Sequence, residues 1–538
     1  MRRSLRRLFH ADDGAVAPTV ALSLFALIAA GGIAFDYARL AGMDTELQQA
    51  ADQAALAGAS QLDGQSGAIA RATAAAQGLI TNQTRMANDG AGVSVGNLTL
   101  IFYTSYNKAT DTYGAVTTTD ATAKIVRVTV GGREARYALT PIVGAMRSGS
   151  ITAEAVAGLG TAICKTPPVM ICNPTETGGN TSFDASAYIG KGIQLVSVGN
   201  GSGTWAPGNF GYLDSNSTGN GASALRESLS WWPPPGDCLG QSGVDTKPGA
   251  SVSVTDALNT RFDIYNGNSV CPSPGSCPAS INSVKDVVRP ANASGGKSCL
   301  MDKDGWQEAA SGRYEPTSPT VALPTTTTPL AMGHPRDMCH AVSVGGSCSG
   351  GRMGDGVWDR DAYFRTNYRR SGGTYWTGGT AAGSWRANTL LTASATRYEV
   401  YNWEIARRDQ VIDGVTVLGP NPAGASGTTK VAYGKPVCSP VEGSPPYGPG
   451  FVPGGTIPDR RRISVAVINC MAQGVNGSSD NVPVEKWVEL FLVEPSLKRL
   501  SDRTNAGDVY VEVIGETPTG AAVTAGQVIR RDVPYLIR

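Results

Sequence analysis

Residues Ala15 to Phe35 read AVAPTVALSLFALIAAGGIAF, an uncharged run closed off by Asp12 and Asp13 on one side and Asp36 on the other. At 1.5 Å rise per residue, a helix of this length spans roughly 31 Å, close to the ~30 Å hydrocarbon core of a bilayer. Its anchor is built from Ala15, Leu22, Leu24, Phe25, Leu27, Ile28, Ile33 and Phe35. Arg2, Arg3, Arg6 and Arg7 stand ahead of it. By the positive-inside rule this cluster stays cytoplasmic and everything after Asp36 crosses the membrane. Pro18 falls in the first turn of the span, where a missing N–H costs little.

A cleaved signal peptide is the competing reading, but the apolar run is longer than the usual ~7–15 residues of such a segment. It also continues into more helix rather than a cleavage loop. The stretch DYARLAGMDTELQQAADQAALAGASQL has no proline, and Ala, Leu, Gln and Glu dominate it. Leu40, Met43, Leu47, Ala50, Ala54 and Ala57 recur at spacings of three and four, which gives a narrow apolar seam. The expectation is an anchor with a helical stalk. The basic head, GAVAPTVALSLFALIAAGGIAFDYARL and the QQAADQAALAGA tail together resemble the N-terminal module of TadG-like proteins, the TadE/TadG minor pilins of Flp (Tad) pilus assembly. The resemblance covers about a tenth of the chain. It implies an inner-membrane or envelope protein that serves pilus biogenesis and is not an enzyme.

A chain of 538 residues is too long for one compact core. Its formal net charge is +1 with no long basic or acidic block past residue 7, which argues against a nucleic-acid partner. All ten cysteines follow the span: Cys164, Cys172, Cys238, Cys271, Cys277, Cys299, Cys339, Cys348, Cys438 and Cys470. An even number on the translocated side reads as disulfides in an oxidising compartment. Cysteine usage and the topology read from the arginines therefore agree.

Past the stalk, AIARATAAAQGLI reads as a second Ala-rich helix. The period then changes: 93–95 and 98–103 suggest strands, 124–130 alternates, Gly131-Gly132 signals a tight turn, and ARYALT reads as a returning strand. A long helix followed by three to five antiparallel strands is the outline of a pilin-like domain. From Cys164 the composition turns to Gly, Pro, Ser, Thr and Trp, with one short disulfide, Cys164 to Cys172, suggested by CKTPPVMICNP. The Thr/Pro run 318–330 reads as an extended linker or surface loop. Strand signal returns in RYEVYNWEIA, RRISVAVINC, VEKWVELFLVE and DVYVEVIGE, and Cys438 and Cys470 are placed to staple the preceding loop to a core strand. The expected fold class is α+β. The expected divisions are 1–14 cytoplasmic, 15–35 transmembrane, 36–160 pilin-like, 161–330 Gly/Pro/Cys-rich and 331–538 β-rich.

Candidate chemistry is sparse. Many TadG-like chains carry a von Willebrand factor A domain, whose metal site needs Asp-x-Ser-x-Ser after a buried strand. Here Asp184-Ala185-Ser186-Ala187-Tyr188 has Tyr where the second Ser belongs. Asp302 and Asp304, and Asp355, Asp359 and Asp361, form acidic clusters without the EF-hand pattern. His334 and His340 flank Cys339 without zinc spacing, and no G-x-S-x-G, H-E-x-x-H or P-loop occurs. No cofactor and no catalytic site are expected. The nine tryptophans read mainly as core plugs, with a glycan- or surface-binding platform as the alternative. Gly14 sits where a prepilin peptidase would cut, but the fifth residue after it is Thr19 rather than Glu, so retention of the N-terminus is expected.

The functional expectation is a single-pass inner-membrane protein with a periplasmic or extracellular bulk. It would act as a minor or accessory component of pilus assembly. Its partners would be the lipid bilayer and other pilus or envelope proteins whose helices pack against the Ala seam, with Ala29, Ala30, Gly31 and Gly32 allowing close approach in lipid. An envelope adhesin and an envelope hydrolase with an unrecognised site are the alternatives.

Overall fold

A computed structural model describes the chain from Val16 to Ile537, apart from residues 64–65, 79–85, 88–97, 108–111, 144–147, 198–204, 216–220, 237, 241–242, 248–251, 267–270, 272–276, 310–311, 343–347, 350, 422–425, 439–449, 456, 500–506 and 518–528. The topology arginines Arg2, Arg3, Arg6 and Arg7, as well as Gly14 and Ala15, lie outside the described residues. The fold is α+β with a disulfide-rich β region. The chain forms two compact units: residues up to Thr161 with Asp532–Arg538, and Ala162–Arg531. The boundary expected at residue 330 does not exist. The Thr/Pro stretch there is a surface loop latched to helix α3 (Arg360–Asn367): Arg365 donates to the carbonyls of Leu323, Pro324 and Thr327, and Asp359 accepts from the N–H of Leu323.

The first unit is organised by one continuous helix, α1 (Val16–Ala59), followed by α2 (Ala68–Gly78). A sheet of β1 (Leu98–Tyr103), β2 (Ile125–Arg136), β3 (Ser148–Cys164) and β10 (Ile529–Leu536) lies against the helical layer, and β1–β2 and β2–β3 pair antiparallel. Met43, Leu47, Ala50 and Ala54 are buried, together with Ala51 and Ala55. They pack on Val126, Val128 and Val130 of β2 and Ala153, Ala155 and Ala157 of β3. Period 3.6 on the helix thus meets period 2 on the strands, and alanines on both sides bring the layers close. Leu40 and Ala57 border this face, half-buried. The Ala seam is therefore the inner face of the unit's own core. The expectation that it packs against partner helices is overturned.

Gly131-Gly132 is not a turn. Strand β2 runs through it, and the register steps from Val130↔Ala153 to Arg133↔Ile151, so three steps on β2 match two on β3. One extra residue makes a β-bulge, a second common use of glycine in a strand.

The second unit centres on a closed six-stranded barrel. Its strands are β4 (Val169–Cys172), β5 (Gly192–Ser197), β6 (Asn209–Tyr212), β7 (Arg462–Ile468), β8 (Lys486–Leu492) and β9 (Val509–Glu516), in the order β7-β8-β9-β5-β6-β4. Val465, Val488, Leu490, Val511, Ile193 and Ile171 fill one core cluster. The alternate residues Phe491 and Tyr510 join Tyr401 and Ile405 of helix α4 (Arg397–Arg407) in another. Burial on both faces is why these strands read as near-continuous apolar runs. Helix α4 corrects the reading of RYEVYNWEIA as a strand. Thr396 and Glu399 form a reciprocal capping box, and Val400, Tyr401, Glu404 and Ile405 share one buried side.

All ten cysteines are paired: Cys164–Cys238, Cys172–Cys470, Cys271–Cys277, Cys299–Cys438 and Cys339–Cys348. The suggested Cys164–Cys172 bridge and the use of Cys438 with Cys470 are both incorrect. Strand β4 runs parallel to β7, and Cys172 lies opposite Ile468, so its natural partner is Cys470 just beyond that strand. This bridge joins residues 298 apart, against a separation of 6 for Cys271–Cys277. Loop-closure entropy then assigns roughly 6 and 2 kcal/mol to the two bridges. Replacing Cys172 and Cys470 with Ser should lower the calorimetric unfolding midpoint of the oxidised protein well beyond the effect of the same change at Cys271 and Cys277. Equal shifts would contradict this.

Candidate functional site

The span and the folded part of the first unit meet at Asp36. Before it, Leu22, Leu24, Phe25, Leu27, Ile28, Ile33 and Phe35 are all exposed, Leu27 at 70%. Only 6% of the most apolar window of α1 is buried, whereas the core helix of a soluble domain would be mostly buried. Among the described residues, α1 is the one helix long and apolar enough to cross a membrane. Beyond Asp36 the same helix turns its Met43–Ala59 face into protein. One rod thus changes from exposed to buried along its length, and the change falls at a single charged residue.

Asp36 is itself buried, and its carboxylate accepts three backbone N–H groups. Oδ1 accepts from Ala138 at 2.9 Å, and Oδ2 from Leu139 at 2.8 Å and from Thr140 at 2.6 Å. These donors open the 3-10 turn Thr140–Val143 in the connection between β2 and β3. The start of such a turn lacks internal acceptors, and Asp36 supplies them from another element. One helical turn earlier, Gly32 lets the backbone approach: a Cβ there would lie 2.9 Å from Cβ of Leu139. Gly31, by contrast, has nothing within 4 Å. Further along, Glu46 accepts from the N–H of Met86, and Arg39 donates to the Met86 carbonyl. Asp36 had stood in the sequence only as the end of the apolar run. Its spacing of four from Gly32 is the signal that the two share one helix face.

The other sequence candidates do not converge on a ligand. Asp184 accepts from the N–H and hydroxyl of Ser186 and caps a 3-10 turn. Asp355 accepts from the N–H of Val357, Asp359 caps α3, Asp361 accepts from Nε1 of Trp385, and Asp302 accepts from the N–H of Asp304. Cys339, His340 and Cys348 lie within metal-like range of one another, but the two sulfurs form a disulfide and are not thiolate ligands. Trp205, Trp306, Trp358, Trp376, Trp385 and Trp487 are buried, and Trp231, Trp232 and Trp403 are half-buried, so the tryptophans do not form an exposed platform.

What sequence reasoning missed in the second unit is a set of buried charges. Arg397 pairs with Asp337 and with Glu512, the latter at 2.8 Å, and donates to the carbonyl of Pro335. Arg336 and Glu494, and Arg499 and Asp286, make paired contacts beside a cavity of about 100 Å³. Arg460 donates to the carbonyls of Ser230 and Pro278, and Arg461 to those of Leu492 and Val493. His334 stacks on Tyr363 and has Nε2 3.6 Å from Glu404. Burial lowers its pKa to about 4, with Glu404 pulling the other way.

Residues 14–61 match the family model described as putative Flp pilus-assembly TadE/G-like. The match begins at Gly14, past the arginine cluster, and ends two residues past α1, so it covers the anchor, Asp36 and the buried seam. No curated protein and no solved structure matches the chain. The N-terminal module is thus similar to a pilus-assembly membrane module.

The state of His334 gives a pH test. Its imidazole stays neutral in the fold down to about pH 4 and protonates near 6.5 when unfolded. Between these values the unfolded chain binds the extra proton. The contribution is therefore fully present above pH 6.5 and is lost as pH falls, by about 3 kcal/mol in all. Urea midpoints at pH 7.5 and 4.5 should fall less in His334→Phe than in the unaltered protein. An identical fall would contradict the assignment.

Proposed function

We propose that this protein is a membrane-anchored accessory component of Flp pilus assembly. It would be single-pass in the inner membrane, with its N-terminus cytoplasmic and its bulk periplasmic or extracellular. The observation that carries this reading is the change along α1 from an exposed apolar span to a buried stalk, within the segment that matches the pilus-assembly family. The arginine cluster supports the orientation, and the five disulfides suit an oxidising compartment. The reading involves no catalysis: the protein acts by assembly.

In this reading the docking surface is sought on what the fold leaves open. Since the Met43–Ala59 seam is occupied by the unit's own sheet, helix packing with other assembly proteins falls to the exposed face of the span. Gly31 is a glycine left open there, beside exposed Ala30, and a backbone exposed at glycine is where a second helix comes closest in lipid. Gly31→Leu should leave the folded units intact, because nothing lies within 4 Å of the new Cβ. Co-purification of other pilus-assembly proteins from mildly solubilised membranes should drop severalfold in this variant relative to the unaltered protein. Undiminished co-purification would place the docking surface elsewhere.

A further inference from the structure

We propose that the segment Ala138–Pro141, where the turn opens, dips into the bilayer interface beside α1 and forms a second, lipid-facing contact of this protein. The proposal rests on the reading that Val16–Phe35 spans a bilayer. Position is the first argument. Leu139 sits against Gly32, which lies four residues, about 6 Å along the helix axis, to the membrane side of Asp36. A turn held there cannot stay at the aqueous level of Asp36.

The second argument is chemistry. Ala138-Leu139-Thr140-Pro141-Ile142-Val143 carries no charge, and Leu139 is 41% exposed although it abuts the apolar span. Backbone N–H groups entering the hydrocarbon edge must be satisfied within the protein. Those of Ala138, Leu139 and Thr140 are taken by Asp36, and Pro141 has none. Polar and amphipathic residues cluster at the level just outside: exposed Tyr37, half-buried Tyr137, and Arg39 and Arg136. Tyrosine and arginine are suited to the headgroup layer. The occupant that fits is the headgroup–acyl boundary of the same bilayer the helix crosses. Asp36 then does more than join two elements, because it fixes how deep the folded unit sits.

The test is a depth measurement on the full chain in vesicles of phosphatidylethanolamine and phosphatidylglycerol. Every cysteine is in a disulfide, so Leu139→Cys supplies one free thiol for a nitroxide spin label. Leu27→Cys and Val116→Cys serve as references for the span and for water, as both side chains are well exposed. Oxygen partitions into lipid and a nickel chelate into water. The expected ratio of oxygen to nickel collisions at the Leu139 label lies severalfold above that at Val116 and below that at Leu27. A ratio equal to that at Val116, with Leu27 lipid-like, would overturn the proposal and leave the span intact. A water-like ratio at Leu27 would overturn the span itself and the proposal with it.

Discussion

A buried carboxylate holding three backbone N–H groups sets the geometry of the first unit. Asp36 is the first charged residue after a bilayer-length apolar run, and it binds the turn that joins β2 to β3. Sliding α1 along its axis, or rotating it, would leave a charge and three N–H groups without partners in a poorly hydrated place. Each such loss costs about 1–3 kcal/mol, and more for the charge. The helix therefore has one register against its sheet. Gly32 permits the close approach, and the Val/Ala faces of β2 and β3 extend the same register to Ala59. An anchor made this way transmits position: what moves the span moves the folded unit.

The second unit solves a different problem. Its chain is rich in Gly and Pro, so many carbonyls lie outside any strand ladder. Buried guanidinium groups serve them: Arg261, Arg365, Arg460 and Arg461 each donate to two or more carbonyls. Arginine suits this because it presents five donors in a fixed plane. The barrel supplies the ordered frame, and the Cys172–Cys470 bridge ties its first strand to one near the end of the chain.

The sequence was informative where a period was long or a composition extreme. The apolar run of α1, the three-and-four spacing from Leu40 to Ala57 and the alternation at 125–130 all appear as elements. So do the apolar runs of β7, β8 and β9. What the seam packs against was not legible, since an alanine stripe looks the same whether its partner is another chain or its own sheet. Gly131-Gly132 misled because a bulge and a turn both call for glycine. In 397–406 the alternation of aromatics reads as a strand, whereas Thr396 and Glu399 form the capping box of a helix. The Cys172–Cys470 pair follows from strand order, and a parallel β4–β7 contact across nearly 300 residues leaves no local trace. Arg460-Arg461-Arg462 resembles a solvated charge run, yet Arg460 and Arg461 are fully buried. Asp36 was visible only as a boundary, because its partners lie about a hundred residues away.

The most direct measurement is hydrogen exchange at the amides of Ala138, Leu139 and Thr140 in the full chain, comparing the unaltered protein with Asp36→Ala. If Asp36 holds this turn to the anchor helix, the three amides exchange slowly in the unaltered protein and far faster in the variant. The amides of Ala50–Ala54, deep in α1, would stay slow in both. Equal exchange at the three amides in both proteins would contradict the account, since the turn would then be held by something other than the carboxylate at the membrane's edge.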